Sequence, residues 1–241
     1  MRKHHIPFGL PRHNPRHYRF PLPNAVWTYQ LKPMEFVILS YLYCHSSHGG
    51  TGTLSPAAIA KGAHKSESMI KKYLSVLAGA GLVTEQHSLA ADFSSAGNGK
   101  FFTLPNEIFL LNLPPSAFVV YAYLLLVEDR RMHTCHPSYN TIAAITGMSR
   151  NTVIKSISVL LDRQLVTMEH SQYLDRRGLK WNGNNLYTIL PMQKAVEAFH
   201  QRQLRQLEAD AQRRKLRRQQ ERLTHNALLS TPASTGRSPA P

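Results

Sequence analysis

Ser149, Arg150, Asn151 and Thr152, followed by Lys155, bring two planar hydrogen-bonding side chains, two hydroxyls and an ammonium group into the stretch "MSRNTVIK". Arginine can pair bidentately with guanine and asparagine with adenine, so this chemistry is recognition of base edges in a major groove. On that reading Arg150, Asn151 and Thr152 face bases, and Ser149 and Lys155 face phosphate. An amphipathic helix with a solvated face would carry the same residue types, so the elements around the stretch must decide.

Those elements read as helix, tight turn, helix. Ile142, Ala143 and Ile145 share one side of a helix that can begin at Ser138, a good N-cap placed directly after Pro137. Gly147 suits the left-handed residue that ends a helix, and Ser149 can cap the next one. In that second helix Val153, Ile157, Leu160 and Leu161 form a single apolar stripe, which leaves Arg150, Asn151, Thr152 and Lys155 facing outward near its start. A recognition helix offers such an N-terminal turn to DNA.

The chain writes this arrangement twice. "FPLPNAVWTYQLKPMEFVILSYL" (20–42) matches "FTLPNEIFLLNLPPSAFVVYAYL" (102–124) without a gap. After one inserted residue the match continues, with Ser55 on Ser138, Ile59 on Ile142, Ser66 on Ser149, Lys72 on Lys155, and "LVT" at 82–84 on "LVT" at 165–167. A repeat of this length suits a duplicated small domain rather than a solenoid. In the first copy Lys65, Ser68, Lys71 and Lys72 are the counterparts of the DNA-facing residues. This copy has His64 where the second has its turn glycine, and Glu67 in the place of Arg150.

Each copy should run helix, helix-turn-helix, then a strand led by Leu-Val-Thr. In the second copy "LVTMEH", the polar loop "SQYLDRRGLKWNGN" and the return strand "NLYTIL" make a β-wing, with Arg176, Arg177 and Lys180 placed for the DNA backbone or minor groove. In the first, "LVTEQH" should be the outgoing strand, and "KFFTL" both its return strand and the entry to the second copy. The expected fold is mainly α with small β-wings (α+β), two tandem winged-helix domains at 20–100 and 101–190.

The charge lies elsewhere. The chain of 241 residues is 42% hydrophobic and carries a net charge of +15. Residues 1–19 hold +5, 20–100 hold +2, 101–190 hold +2 and 191–241 hold +6. The two domains are nearly balanced, so the ends read as phosphate-seeking arms. The Pro- and His-rich arm 1–19 should be extended, with Arg12, Arg16 and Arg19 suited to a minor groove. Residues 191–224 read as a basic helix with an apolar line of Val196, Phe199, Leu204, Leu207 and Ala211, interrupted by Arg214 and Arg218, and 225–241 as a disordered tail.

Other chemistry finds little footing. No stretch is apolar enough to span a bilayer, and the polar segment after Met1 has no apolar core, so a cytoplasmic protein is expected. Cys44 and Cys135 stand in no paired motif. Cys44, His45 and His48, and His133, Cys135 and His136, cluster at matching places, but without the ligand spacing of structural zinc. Glu128 and Asp129 beside Arg130 and Arg131 read as a solvated helix end. No Gly-rich phosphate loop, Gly-x-Ser-x-Gly elbow or His-x-His pair occurs, so neither catalysis, a cofactor nor a metal is expected.

"FTLPNEIFLLNLPPSAFVVYAYL", "CHPSYNTIAAITGMSRNTVIKSISVLLDRQLV" and "NGNNLYTI" resemble the helix-turn-helix domain proteins of bacterial plasmids and integrative elements, of the replication initiator protein A-like kind. The resemblance covers about 101–190 and, more loosely, 20–85. It implies binding of double-stranded DNA, replication initiation as the leading role with replication machinery proteins as partners, and transcriptional regulation as the alternative. A homodimer is open, and so is a further class, the protein-interaction module. Two recognition helices in one chain imply a site in two parts about 10 base pairs apart, of different sequence.

Overall fold

The computed structural model describes residues 19–47, 54–90, 100–174, 177 and 180–229. The arm before Arg19, with Arg12 and Arg16, lies outside them, as do His48, Arg176 and the chain from 230. The fold is mostly helical with small antiparallel sheets. Up to Val196 the chain forms one compact unit, and from Glu197 a second.

Each copy opens with a short strand, β1 (Arg19–Pro23) or β2 (Phe101–Pro105), and a 3-10 turn ending on a left-handed residue, Gln30 (φ 46°) or Asn112 (φ 43°). A helix buried on nearly all sides follows, α1 (Pro33–Ser47) or α4 (Pro115–Leu126). Both are apolar around almost the whole circumference, as an interior helix must be. Glu35 is buried because its carboxylate accepts the Lys32 backbone N–H at 2.8 Å, which satisfies a free donor at the start of α1.

The helix-turn-helix pairs come next. In the first copy these are α2 (Pro56–Gly62), capped by Ser55, and α3 (Glu67–Gly79). In the second, β3 (Thr134–Cys135) precedes α5 (Tyr139–Thr146), capped by Ser138, and α6 (Arg150–Asp162), capped by Ser149. The turn requires a left-handed residue in both: Gly147 at φ 65° and, at the same repeat position, His64 at φ 53°. A third pair, Gly81 (φ 71°) and Gln164 (φ 58°), ends α3 and α6. The backbone repeats even where the side chains do not.

The wings differ. In the second copy β4 (Val166–Leu174) and β5 (Lys180–Ile189) pair antiparallel with β3 on the far edge of β5, giving the order β3-β5-β4. In the first copy the expected strand "LVTEQH" is not formed. Leu82 and Val83 are buried, Val83 makes one bridge to Leu89, and Thr84 closes a tight turn by accepting the His87 N–H and donating to the Ser88 carbonyl. Nor is "KFFTL" its return strand: β2 pairs instead with β1. The buried faces explain the choice, since Phe102 and Leu104 join Phe20 and Leu22 over the common core.

The β1–β2 pairing is symmetric about Pro21 and Thr103, which hold the same position in the two copies. The aromatic core repeats this symmetry. Trp27 meets Tyr123 edge-on at 5.6 Å between ring centroids, and the equivalent pair Phe109 and Tyr41 does so at 5.1 Å. Phe20 lies 6.0 Å from Phe109, and the equivalent Phe102 lies 6.1 Å from Trp27. Contacts in which residue i of one half meets j of the other, and j meets i, define a two-fold arrangement. The chain packs on itself as a homodimer packs.

The last helix, α7 (Met192–Leu229), runs on past 224, where the sequence predicts a tail. In its second-unit part Leu204, Leu207, Leu216 and Leu223 are all exposed.

Candidate nucleic-acid interface

Helix α6 buries Val153, Ser156, Ile157 and Leu160 and turns Arg150, Asn151, Lys155, Ser158 and Asp162 to solvent. Thr152 is half-buried. Ser149 accepts the Thr152 backbone N–H at 3.2 Å, and the two hydroxyls lie 2.9 Å apart. These hydroxyls therefore help to hold the helix start, which leaves the long side chains of Arg150 and Asn151 as its outermost hydrogen-bonding groups. The free N–H groups and positive end of the helix dipole favour a phosphate nearby.

Arg150 rests over the ring of Tyr139, its guanidinium carbon 5.9 Å from the centroid. A cation at this range is attracted to the ring face, which also restricts the arginine's rotamers. The Tyr139 hydroxyl donates to the Met168 sulfur at 3.4 Å, so the aromatic seat under Arg150 is tied to β4. Sequence spacing gives no sign of Tyr139. It belongs to the first turn of α5 and meets Arg150 only because the two helices pack together.

On the wing, Arg177 is exposed and Lys180 begins β5. At the wing's base the buried Asn185 lies 2.9 Å from His170 Nδ1 and donates to the Tyr187 hydroxyl at 2.9 Å, beside a bulge between His170 and Gln172. That network stiffens the base from which the two strands project.

The first-copy residues meet different surroundings. Lys71 is paired with Glu67 at 2.7 Å on the exposed face of α3. Lys65 reaches across to the other copy, where its ammonium donates to Asn112 Oδ1 at 3.4 Å. Ser68 and Lys72 are exposed, and so is Met69. The outer face of α3 thus combines an acid, an apolar side chain and lysines where α6 has arginine, asparagine and lysine. Met69 offers the kind of apolar contact that recognises a thymine methyl, a role that hydrogen-bonding chemistry alone does not single out.

Of the two histidine–cysteine clusters, the first includes His48, which lies outside the described residues, and the second does not gather its side chains into a metal site. His133 Nδ1 lies 2.7 Å from Glu128 Oε1, Cys135 is buried and His136 is exposed. Among the described residues no group of three or more His, Cys, Asp or Glu is placed to hold a metal ion, and no helix is long and apolar enough to cross a membrane.

These features define a winged helix-turn-helix chain, and comparison with known proteins agrees for the second copy. A family model described as "Helix-turn-helix domain" matches residues 111–166, from the end of the 3-10 turn through α6. This match supports DNA binding. A solved structure, "Possible transcriptional regulator from Methanosarcina mazei Go1", shares 16% identity at a TM-score of 0.31, with 46% of this chain and 89% of that chain covered. Among curated proteins none matches the chain.

Proposed function

We propose that this chain is a sequence-specific double-stranded DNA-binding protein that reads bases with α6, and that it initiates replication on a plasmid or integrative element. The observation that carries the base-reading part is the start of α6: Ser149 caps the helix, Arg150 is seated on Tyr139, and Asn151 stands beside it in solvent. The aromatic seat reduces the entropy that a long arginine must lose on meeting a base. Initiation rests on the resemblance of residues 101–190 to plasmid and integrative-element proteins.

Transcriptional regulation is the second reading, because it needs the same helix-turn-helix, the element that the family match identifies. Selection of bound sequences from a random DNA pool tests the shared premise; a pool that never enriches would remove both readings. The enriched sequence then separates them. If the chain is an initiator, a plasmid carrying tandem copies of it replicates only when the chain is supplied. If it is a regulator, the same sequence placed at a reporter promoter changes transcription and supports no replication.

A further inference from the structure

The two recognition helices belong to one two-fold frame. In the first copy α3 packs on α1, in the second α6 packs on α4, and α1 packs against α4 across the axis. On that axis Phe36 meets Phe118, its own counterpart, at 6.2 Å, and Pro21 is paired with its counterpart Thr103. The rotation that carries α1 onto α4 therefore carries α3 onto α6. A direct tandem of domains, related by translation, would instead bring unlike surfaces together, head to tail.

We propose that a single chain reads two half-sites of opposite polarity and different sequence, as a dimeric regulator reads a palindrome but without its sequence symmetry. The polarity follows from the two-fold, since a two-fold protein presents its helices to the duplex in opposite senses. The difference in sequence follows from the helices: Glu67, Ser68 and Met69 stand where Arg150, Asn151 and Thr152 stand. A bound chain consequently has a fixed left and right on its site. This inference rests on the DNA-binding reading above and adds the architecture of the target.

The test uses the full chain on its selected DNA, with a cleavage reagent tethered through Ser75→Cys in α3 or, separately, Ser158→Cys in α6, exposed counterparts in the two helices that lie outside the base-reading residues. Cys44 and Cys135 are both buried and do not compete for the reagent. Cleavage from the two tethers should be mirror-related about the centre of the site, and reversing one half-site in place should weaken binding by about tenfold or more, the order of what one bidentate pairing with a base contributes. Cleavage displaced in the same direction from both tethers, or undiminished binding to the reversed site, would overturn the inference. Cleavage from position 158 alone would also overturn it, while leaving α6 as a DNA reader. A random pool that yields no preferred sequence would instead strike the DNA-binding reading itself.

Discussion

Phe36 and Phe118, the same residue of the repeat in its two copies, meet edge to face with their ring centroids 6.2 Å apart and their planes at 65°. Both side chains are buried, Phe36 at 2% exposure and Phe118 at 3%. Phe36 also touches Trp27 and Phe118 touches Phe109, at 5.0 and 5.5 Å between centroids, so the pair joins the two halves of one aromatic core. Phe118→Ala should lower stability by about 3–5 kcal/mol, the usual cost of emptying a buried aromatic site. Urea unfolding followed through Trp27 in the first copy and Trp181 in the second should give a single midpoint, which shifts as one in the variant. Two separate midpoints would show that the halves fold independently.

Arg150→Ala should weaken binding to the selected site by about 1–3 kcal/mol and barely change binding to random DNA. Tyr139→Phe keeps the ring beneath Arg150 and removes only the hydroxyl bonded to Met168, so it should retain most of the affinity. Fluorescence anisotropy with the two DNAs measures both variants. Equal losses on both DNAs would make Arg150 a phosphate contact.

The left-handed turn allows a comparison between the copies. A Cβ at Gly147 would meet nothing within 4 Å, so Gly147→Ala should cost only the backbone penalty of a left-handed L-residue, about 1–2 kcal/mol. His64 already bears that penalty at φ 53°. His64→Gly should therefore be neutral or modestly stabilising, once the greater freedom of glycine in the unfolded chain is included. Thermal melts of the two variants should move in opposite directions or leave the second unchanged; a large loss from His64→Gly would mean that the imidazole has a structural role.

Removing residues 212–241 takes away Arg213, Arg214, Lys215, Arg217, Arg218 and Arg222, all on the exposed part of α7. Affinity for specific and random DNA should fall about alike, and the slope of log K against log salt should become shallower by roughly 0.9 for each phosphate that these cations no longer neutralise. A salt slope identical to that of the full chain would show that the basic helix stays off DNA.

Burial pushes the thiols of Cys44 and Cys135 up to about 12 from an ordinary 9.0, with smaller upward contributions from Glu107 and Glu128 respectively. Burial also raises Tyr41, Tyr43, Tyr121, Tyr123 and Tyr187. The folded chain keeps these protons where the unfolded chain releases them. Their stabilisation is therefore complete below about pH 9 and is lost as pH rises from there towards 12. The urea midpoint should fall between pH 8 and pH 10, and iodoacetamide should modify either cysteine only after unfolding. A constant midpoint, or alkylation of the native chain, would contradict the assigned burial.

Much of this was legible in the sequence because it is local. Ser138, Gly147 and Ser149 mark the ends of α5 and α6 through their own backbone and side-chain chemistry, and Val153, Ile157 and Leu160 mark the buried face by spacing alone. Duplication was equally plain, since it requires only matching letters. The partner of "KFFTL" was not, because alternation says that Phe102 and Leu104 share a face without saying which strand lies beside them. The chain chose β1 over the Leu-Val-Thr segment, a pairing that extends the core common to both copies. Likewise, nothing local distinguishes copies joined head to tail from copies joined like to like, or shows that Tyr139 will lie beneath Arg150. Those outcomes depend on which distant apolar faces bury each other, and only the assembled core settles that.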